Sequence, residues 1–441
     1  MRPNPATYYY NNNSNISIRV MCLVLIAFLL QNPFAFSTAF ELSYKVIYSI
    51  SLITLAVATF SGWVRLFTFG CGKEFTYYLY FVVATVGCIL LNVAALGYSE
   101  PGNIIRYLFR YFQFFVVFIA VATIGSGKLL ILGGRTSIIL AVLAISHFCL
   151  NFLGMSNPFG DVQIATFDDT PFYWSVPFGF SNSVIPAGER FQEQSYFTEP
   201  ANFGYFQLLF LIYYAYKHKL ERKITYRAAI GILVISLLTT QSVATIGSLL
   251  ILAVIPFTAS RLQSFTLKDI TLSLIALFAL GTVLFGLVVY LINLKESVFQ
   301  FRGLSIVMRA LEWQQTFTSI MSNPLGYGIG VINNNLLVLD SETGLTKEYG
   351  GPTNFLLLFY QLGVPYLLPF LYWLRVLKLA YNSFSESSND LKMTALMLLT
   401  GFLISISYIQ FNTAVFQVTL ALFFIERHKT TVGTHSNVVV R

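Results

Sequence analysis

Charge is what this sequence has least of. Asp, Glu, Lys and Arg make up 10% of its 441 residues, where soluble domains carry about a quarter. Hydrophobic residues reach 56% and the mean hydropathy is +0.68. They come in long runs, not in alternation, so an ordinary soluble globule is excluded. Histidine is scarce too: His147, His218, His428 and His435 are all there are. The four cysteines, Cys22, Cys71, Cys88 and Cys149, have the spacing of neither a disulfide framework nor a zinc site. No Ser/His/Asp order, metal-ligand spacing or phosphate-binding loop occurs. No metal and no cofactor is therefore expected, and nucleotide sugars or ATP are unsupported as direct substrates.

What is present is apolar length. A helix crossing the hydrocarbon core of a bilayer needs about 20 mostly apolar residues, and many such runs occur. The fold class expected is all-α, one membrane-embedded domain over 1–441 with twelve spans. They fall at approximately 18–35, 45–64, 76–98, 104–124, 136–154, 202–216, 227–240, 242–259, 270–294, 355–376, 391–409 and 412–426. The polar N-terminus MRPNPATYYYNNNSNISIR precedes the first run without a convincing small-residue cleavage site. It reads as a cytoplasmic tail followed by a retained helix, not a signal peptide.

Basic residues set the orientation. With the N-terminus inside, inner segments hold 19 of the 27 Lys and Arg, including the cluster KHKLERKITYR at 217–227, but only six of the 19 acids. Cytoplasmic loops carry such an excess, so the net charge of +8 needs no nucleic acid to explain it. Both termini are expected inside. Two long connections, 155–201 and 295–354, are expected outside, and connections that long are usually functional or disordered. Phe172, Tyr173, Trp174, Phe178 and Phe180 argue against disorder. They fit an aromatic belt at the membrane surface, or a half-wet face for the apolar C–H surfaces of sugar rings.

Five arginines break the inside bias: Arg106, Arg110, Arg190, Arg302 and Arg309. The planar guanidinium grips phosphate and carboxylate oxygens in pairs and stays charged. Arg106 and Arg110, four apart, share one helix face, and Arg110 is expected a turn or more inside the fourth span. An ionisable group at that depth faces a cavity or a partner, unless it snorkels to the headgroups. Arg302 and Arg309 lie seven apart on an expected amphipathic helix ended by Pro324, hence on one side of it. With Arg190 they make a convergent cationic site.

Beyond that helix, NPLGYGIG alternates Gly326, Gly328 and Gly330. Glycine permits close backbone approach, so this stretch reads as an anion nest or as a plain helix-to-loop turn. In RFQEQSYFTEPANFG at 190–204, Pro200 suits the first position of a helix, which makes Glu199 a cap. His147 is expected to be a bundle contact.

These stretches, with MRALEW at 308–313 and TNFLLLFYQLGVPYLL at 353–368, give the whole chain a resemblance. It resembles the Wzy-type O-antigen polymerases, within the superfamily that includes the O-antigen ligases. The resemblance implies a metal-independent glycosyltransferase of the bacterial inner membrane, multi-pass, with its site facing the exterior. Its substrates would be undecaprenyl-pyrophosphate-linked oligosaccharides. Membrane lipid, a chain-length regulator and a flippase would be its partners. It implies that Arg190 and Arg309, with Arg302, Arg110 and Arg106, bind pyrophosphate and substrate. Asn202, Gly326, Gly328 and Asn354 would line the same site. Glu199 or Glu193 would orient the pyrophosphate or the acceptor hydroxyl. Ligase members tend to carry His before Asn at the start of the tenth span. Here the pair is Thr353-Asn354, which favours polymerisation over ligation. A lipid-linked oligosaccharide transporter is the alternative from another class.

Overall fold

The computed structural model describes, in the main, residues 73–96, 101–153, 160–181, 200–240, 316–329, 336–339, 346–349, 357–405 and 413–438, with short stretches near 50–59 and 245–249. These residues are predominantly helical. Nine α-helices are described: α1 Lys73–Leu96, α2 Pro101–Ile124, α3 Ser126–Phe152, α4 Pro200–Glu221, α5 Ile224–Thr239, α6 Leu357–Leu362, α7 Leu367–Asn382, α8 Asn389–Ser405 and α9 Ala414–Val438. Two of them contain stretches long and apolar enough to cross a membrane, Thr76–Ala95 in α1 and Ser126–Leu150 in α3. Shorter apolar helical stretches cover Leu108–Ile124 and Ile224–Thr239. The spans expected at 18–35 and 270–294, and most of the one expected at 242–259, lie outside the described residues.

Helix α4 is the centre. Every residue from Asn202 to Phe210 is buried, and a helix apolar all round belongs in the middle of a bundle. Its neighbours identify themselves by contact. Gln207 donates to the Ser137 carbonyl of α3 (3.2 Å), and Tyr205 donates to Thr419 of α9 (3.3 Å). Gly401 of α8 leaves room for the Tyr205 hydroxyl and the Phe416 ring, where even a methyl would collide. Small residues at such crossings let helices approach closely.

The helices alternate in direction. Gly134 of α3 meets Tyr214 while Ser137 meets Gln207, so α3 and α4 run antiparallel. Helix α9 runs parallel to α2: Gln417 donates to the Arg110 carbonyl (3.1 Å), and Ser126, just past the end of α2, donates to Glu426. Helix α7 runs antiparallel to α1: Arg375 stacks over the Tyr77 ring (3.4 Å), whereas Asn92 reaches the carbonyl of Gln361 (3.2 Å). One end of the bundle therefore collects the starts of α2, α4, α6 and α9 and the ends of α1, α3 and α8. It also carries the three-stranded sheet described below, and is here termed the loop end.

At the opposite end, Lys429 bridges Glu426 (2.7 Å) and Ser126 (2.9 Å). Glu426 is only 7% exposed, and a carboxylate so buried needs a charged partner and hydrogen bonds. This cluster ties α9 to the turn between α2 and α3. The basic cluster 217–227 lies at the same end. There Glu221 accepts from Lys223 (2.6 Å) and Tyr226 (3.1 Å), which holds its carboxyl below the ordinary range.

Three boundaries differ from the sequence expectation. The fifth span was expected from 136, but α3 starts at Ser126. Gly125, in the left-handed region (φ 87°), turns the chain in a single residue, and the polar Lys128 and Arg135 that mimic a loop lie within the helix. The last helix runs on to Val438, beyond the apolar run that ends near 426. The span expected over 355–376 is broken. Helix α6 stops at Leu362, Gly363 adopts φ 68°, a 3-10 turn spans Val364–Tyr366, and α7 begins anew. Proline at 365 lacks the amide an uninterrupted helix would use.

The two long connections contain antiparallel sheet. Strands β1 Asp161–Phe167, β2 Thr170–Ser175 and β3 Gly179–Ser181 form a meander in the order β1-β2-β3. A two-stranded ribbon pairs β4 Leu336–Leu339 with β5 Thr346–Tyr349. In the meander Trp174 pairs with Val162 and with Phe180, while Tyr173 pairs with Gln163 and Ser181. Between β2 and β3, Phe178 is buried against His147 of α3, their rings parallel at 5.3 Å. His147 is expected to be a bundle contact; the contact shown is with the connection between β2 and β3, so its ring packs α3 against the meander.

Candidate functional site

The motifs NPLGYGIG and TNFLLLFYQLGVPYLL, separate in sequence, meet at the loop end. A short helical segment ends at Ser322, as Pro324 leads one to expect. Asn323 closes the turn: its backbone amide donates to the Ser319 carbonyl (2.8 Å), and its side chain donates to the Gly326 carbonyl (2.6 Å). The chain then lies against the break between α6 and α7. Tyr327 donates to the Tyr360 carbonyl (3.2 Å), Gly328 to the Gln361 carbonyl (3.0 Å), and Val364 back to the Pro324 carbonyl (2.7 Å).

Two turns clasp each other by backbone alone, and glycine is what makes that possible. Gly326 (φ 79°) and Gly363 (φ 68°) both sit in the left-handed region. A Cβ on Gly326 would overlap the backbone of Gln361, and one on Gly363 the carbonyl of Pro324. The rings of Tyr327 and Tyr360 stack across the clasp at 4.9 Å, 15° from parallel. Beneath it lies a small apolar core of Cys88 and Ile89 from α1, Ile329, and Leu358, Leu362 and Tyr366.

Helix α1 supplies the polar closure. The Asn92 side chain donates to the Leu325 carbonyl (2.7 Å) and to the Gln361 carbonyl (3.2 Å). One turn earlier the Cys88 thiol donates to the Pro365 carbonyl (3.3 Å). The glycine stretch was read as either an anion nest or a turn, and the structure shows the turn. The amides of Gly326, Tyr327 and Gly328 all donate to protein carbonyls, so they do not form the nest.

Other expected site residues are distributed as follows. Arg110 sits in the third turn of α2, half-buried, at the depth anticipated. Arg106 lies on the same helix one turn nearer its start. Asn202 is buried in the first turn of α4, and that helix begins at Pro200, as its sequence suggests. Arg190, Glu193, Glu199, Arg302, Arg309 and Asn354 lie outside the described residues. Among the described residues, no group of three His, Cys, Asp or Glu side chains is placed to hold a metal ion.

The sequence reading passed over Asn92, Gln361 and Gln417. Each is an uncharged amide within an apolar run, where charge gives no signal. A lone amide in such a run is itself a signal, since it must find partners away from water. Gln417 shows a remainder: its Nε2 serves Arg110, but its buried Oε1 has no hydrogen-bond partner. It lines a cavity of about 10 Å³ with Tyr111, Tyr366 and Trp373, while an apolar cavity between α3, α4 and α9 measures about 20 Å³. Each has room for about one water, so neither admits a sugar. Compared with known proteins, the chain matches no protein-family model, no curated protein and no solved structure.

Proposed function

We propose that this chain is a multi-pass membrane glycosyltransferase that polymerises lipid-linked oligosaccharide repeat units. It transfers the growing glycan from undecaprenyl pyrophosphate to the next lipid-linked repeat. The observation that carries the reading is the clasp. Parts of two stretches on which the family resemblance rests, 324–328 and 360–364, form one hydrogen-bonded unit at the loop end. In sequence, Arg302 and Arg309 precede the first of these turns and Asn354 precedes the second. The starts of α2, with Arg106 and Arg110, and of α4, with Asn202, share that end of the bundle. The two long apolar helices support the membrane setting.

The chemistry asks little of the protein beyond placement and charge. An acceptor hydroxyl oxygen attacks the anomeric carbon of the donor glycan, and the bond from that carbon to the phosphate oxygen breaks. The electron pair leaves with the lipid pyrophosphate, and the hydroxyl proton passes to Glu199 or Glu193, or to water. Negative charge grows on the departing oxygen, and Arg190 and Arg309, backed by Arg302, Arg110 and Arg106, stabilise it more in the transition state than in the ground state. Holding donor and acceptor in line lowers the entropic barrier further. Gly326 and Gly328 act here by letting the backbone close, with Asn202 and Asn354 as neutral donors to the glycan. The aromatics of the first long connection offer flat surfaces for sugar rings.

The glycan profile of a strain lacking the chain tests the class. The expected phenotype is surface glycan of a single repeat, because export and ligation remain intact. Long glycan retained on carrier lipid would mean a ligase. Single repeats trapped on the inner leaflet would mean a flippase. Either result ends the polymerase reading.

A further inference from the structure

We propose that the exposed stripe of α3 that carries Lys128 and Arg135 is a headgroup site for an anionic phospholipid, in the leaflet at the end opposite the loops. The inference rests on the membrane setting and goes beyond the polymerase reading, whose site is at the other end. Lys128, Ile131, Arg135, Ile139 and Val142 are all exposed, and their spacing of three and four residues puts them on one face of the helix. Lys128 and Arg135, seven residues and about 10 Å apart along the axis, lie towards the end opposite the loops. Ile139 and Val142 continue the stripe as hydrocarbon. Cations first and apolar side chains beyond them match the two parts of a lipid, its phosphate and its acyl chains.

The gathering of basic residues near inner connections accounts for Lys128, beside the turn, but not for Arg135. Arg135 lies well within Ser126–Leu150, the stretch long and apolar enough to cross a membrane. Gly134, the residue before it, faces the Tyr214 hydroxyl, three residues short of Lys217, the first cation of α4. Arg135 is therefore about one turn deeper than that cation. A guanidinium at such depth is costly without a counter-charge, and the described acids at this end do not supply one. Glu221 is paired with Lys217 and Lys223, and Glu426 with Lys429. Glu386 and Asp390 are exposed around the connection between α7 and α8. Among the described residues neither Lys128 nor Arg135 makes an ion pair or a hydrogen bond. A phosphate reached from the bilayer fills that gap, because the planar fork of arginine matches two of its oxygens. Lys128, nearer the surface, adds a point charge. The Tyr214 hydroxyl is close enough to feel the charge of Arg135, and the Tyr226 ring of α5 is 6.0 Å from that of Tyr214. Three helices thus border the site, and basic pockets between membrane helices are where anionic headgroups bind.

The full-length chain, purified in detergent, is titrated with phosphatidylglycerol or with phosphatidylcholine, and bound lipid is counted by native mass spectrometry. This readout needs no glycan and stands whether or not the chain is a polymerase. Wild type should prefer phosphatidylglycerol, and Arg135→Gln should weaken its binding on the order of tenfold, the worth of about one charge-assisted hydrogen bond. Arg135→Lys should lose a smaller part, since the charge stays and the fork goes. Arg135 is exposed and unbonded, so without added lipid both variants should melt as wild type does, which separates lost binding from lost folding. Arg227→Gln, in the basic cluster at the same end, should bind phosphatidylglycerol within about twofold of wild type. Equal losses in Arg135→Gln and Arg227→Gln would mean diffuse attraction to a basic surface and would overturn the site. Wild-type binding by Arg135→Gln would also overturn it, and would assign the arginine to another partner, such as a carboxylate on a second protein. Glycerol phosphate at the same concentration should not displace the lipid, because the acyl chains along Ile139 and Val142 hold it. Displacement would make this a site for soluble anions and end the lipid assignment.

Discussion

Arg309→Lys and Arg190→Lys should each cut glycan polymerisation by roughly tenfold to a hundredfold, with protein levels in the membrane unchanged. Lysine keeps the charge, so long-range attraction of the pyrophosphate persists. What it loses is the planar fork that donates two parallel hydrogen bonds to one phosphate. Charge-assisted bonds of this kind contribute about 1.5–3 kcal/mol each, and one of the pair has no counterpart in lysine. Arg302→Lys and Arg110→Lys should have smaller effects in the same direction. Arg227→Lys supplies the control. It lies in the basic cluster at the opposite end, where its guanidinium bonds the His218 ring (3.1 Å), and its glycan should match wild type. The measurement is chain-length distribution by gel, normalised to the amount of membrane-inserted protein. Wild-type lengths in both Arg190→Lys and Arg309→Lys would remove the arginine clamp from the mechanism.

Gly363→Ala should be the most damaging single-methyl change in the described structure, with Gly326→Ala close behind. Two costs add at each site. An L-residue held in the left-handed region costs roughly 1–2 kcal/mol, and forcing a methyl into a packed contact costs typically about 1–3 kcal/mol. At Gly363 the collision is with the Pro324 carbonyl, the same group that accepts the Val364 amide. The methyl therefore cannot be accommodated without giving up a hydrogen bond of the clasp. The expected result is a fall of the detergent-solubilised melting midpoint on the order of 5–10 °C and loss of long glycan. Gly102→Ala is the matched comparison. Gly102 lies in the first turn of α2 with nothing near the added methyl, and alanine is the better helix former by about 1 kcal/mol. A midpoint for Gly363→Ala equal to that of Gly102→Ala would mean that the clasp does not bear on stability.

Much of the helical frame was legible from apolar run length. Runs at 76–98, 104–124 and 227–240 correspond closely to α1, α2 and α5, because their ends carry polar or turn-forming residues that hydropathy detects. It failed where the local signal and the packing disagree. Lys128 and Arg135 look like loop residues, yet α3 passes through both, since the single left-handed Gly125 has already made the turn. The break at Gly363 was hidden inside TNFLLLFYQLGVPYLL because every flanking residue is apolar, and only the Gly-Val-Pro triplet marks it. The site was legible in part. Charge alone drew notice to Arg110, and spacing drew notice to Gly326 and Gly328. The partner of those glycines lay thirty-odd positions away along the chain, beyond anything local spacing can report. Asn92 was missed for a physical reason: an amide does not stand out by charge, and its importance comes from two carbonyls that only the folded chain brings within reach.

The most direct measurement of the central claim is reconstitution. The full-length chain, purified and placed in liposomes with lipid-linked single repeats as the sole glycan, is followed for the length of the lipid-linked product. The expected result is a ladder of two, three and more repeats that grows with time and is abolished by Arg309→Lys. Single repeats left unchanged by the wild-type chain, or moved only to a different acceptor lipid when one is supplied, would contradict it.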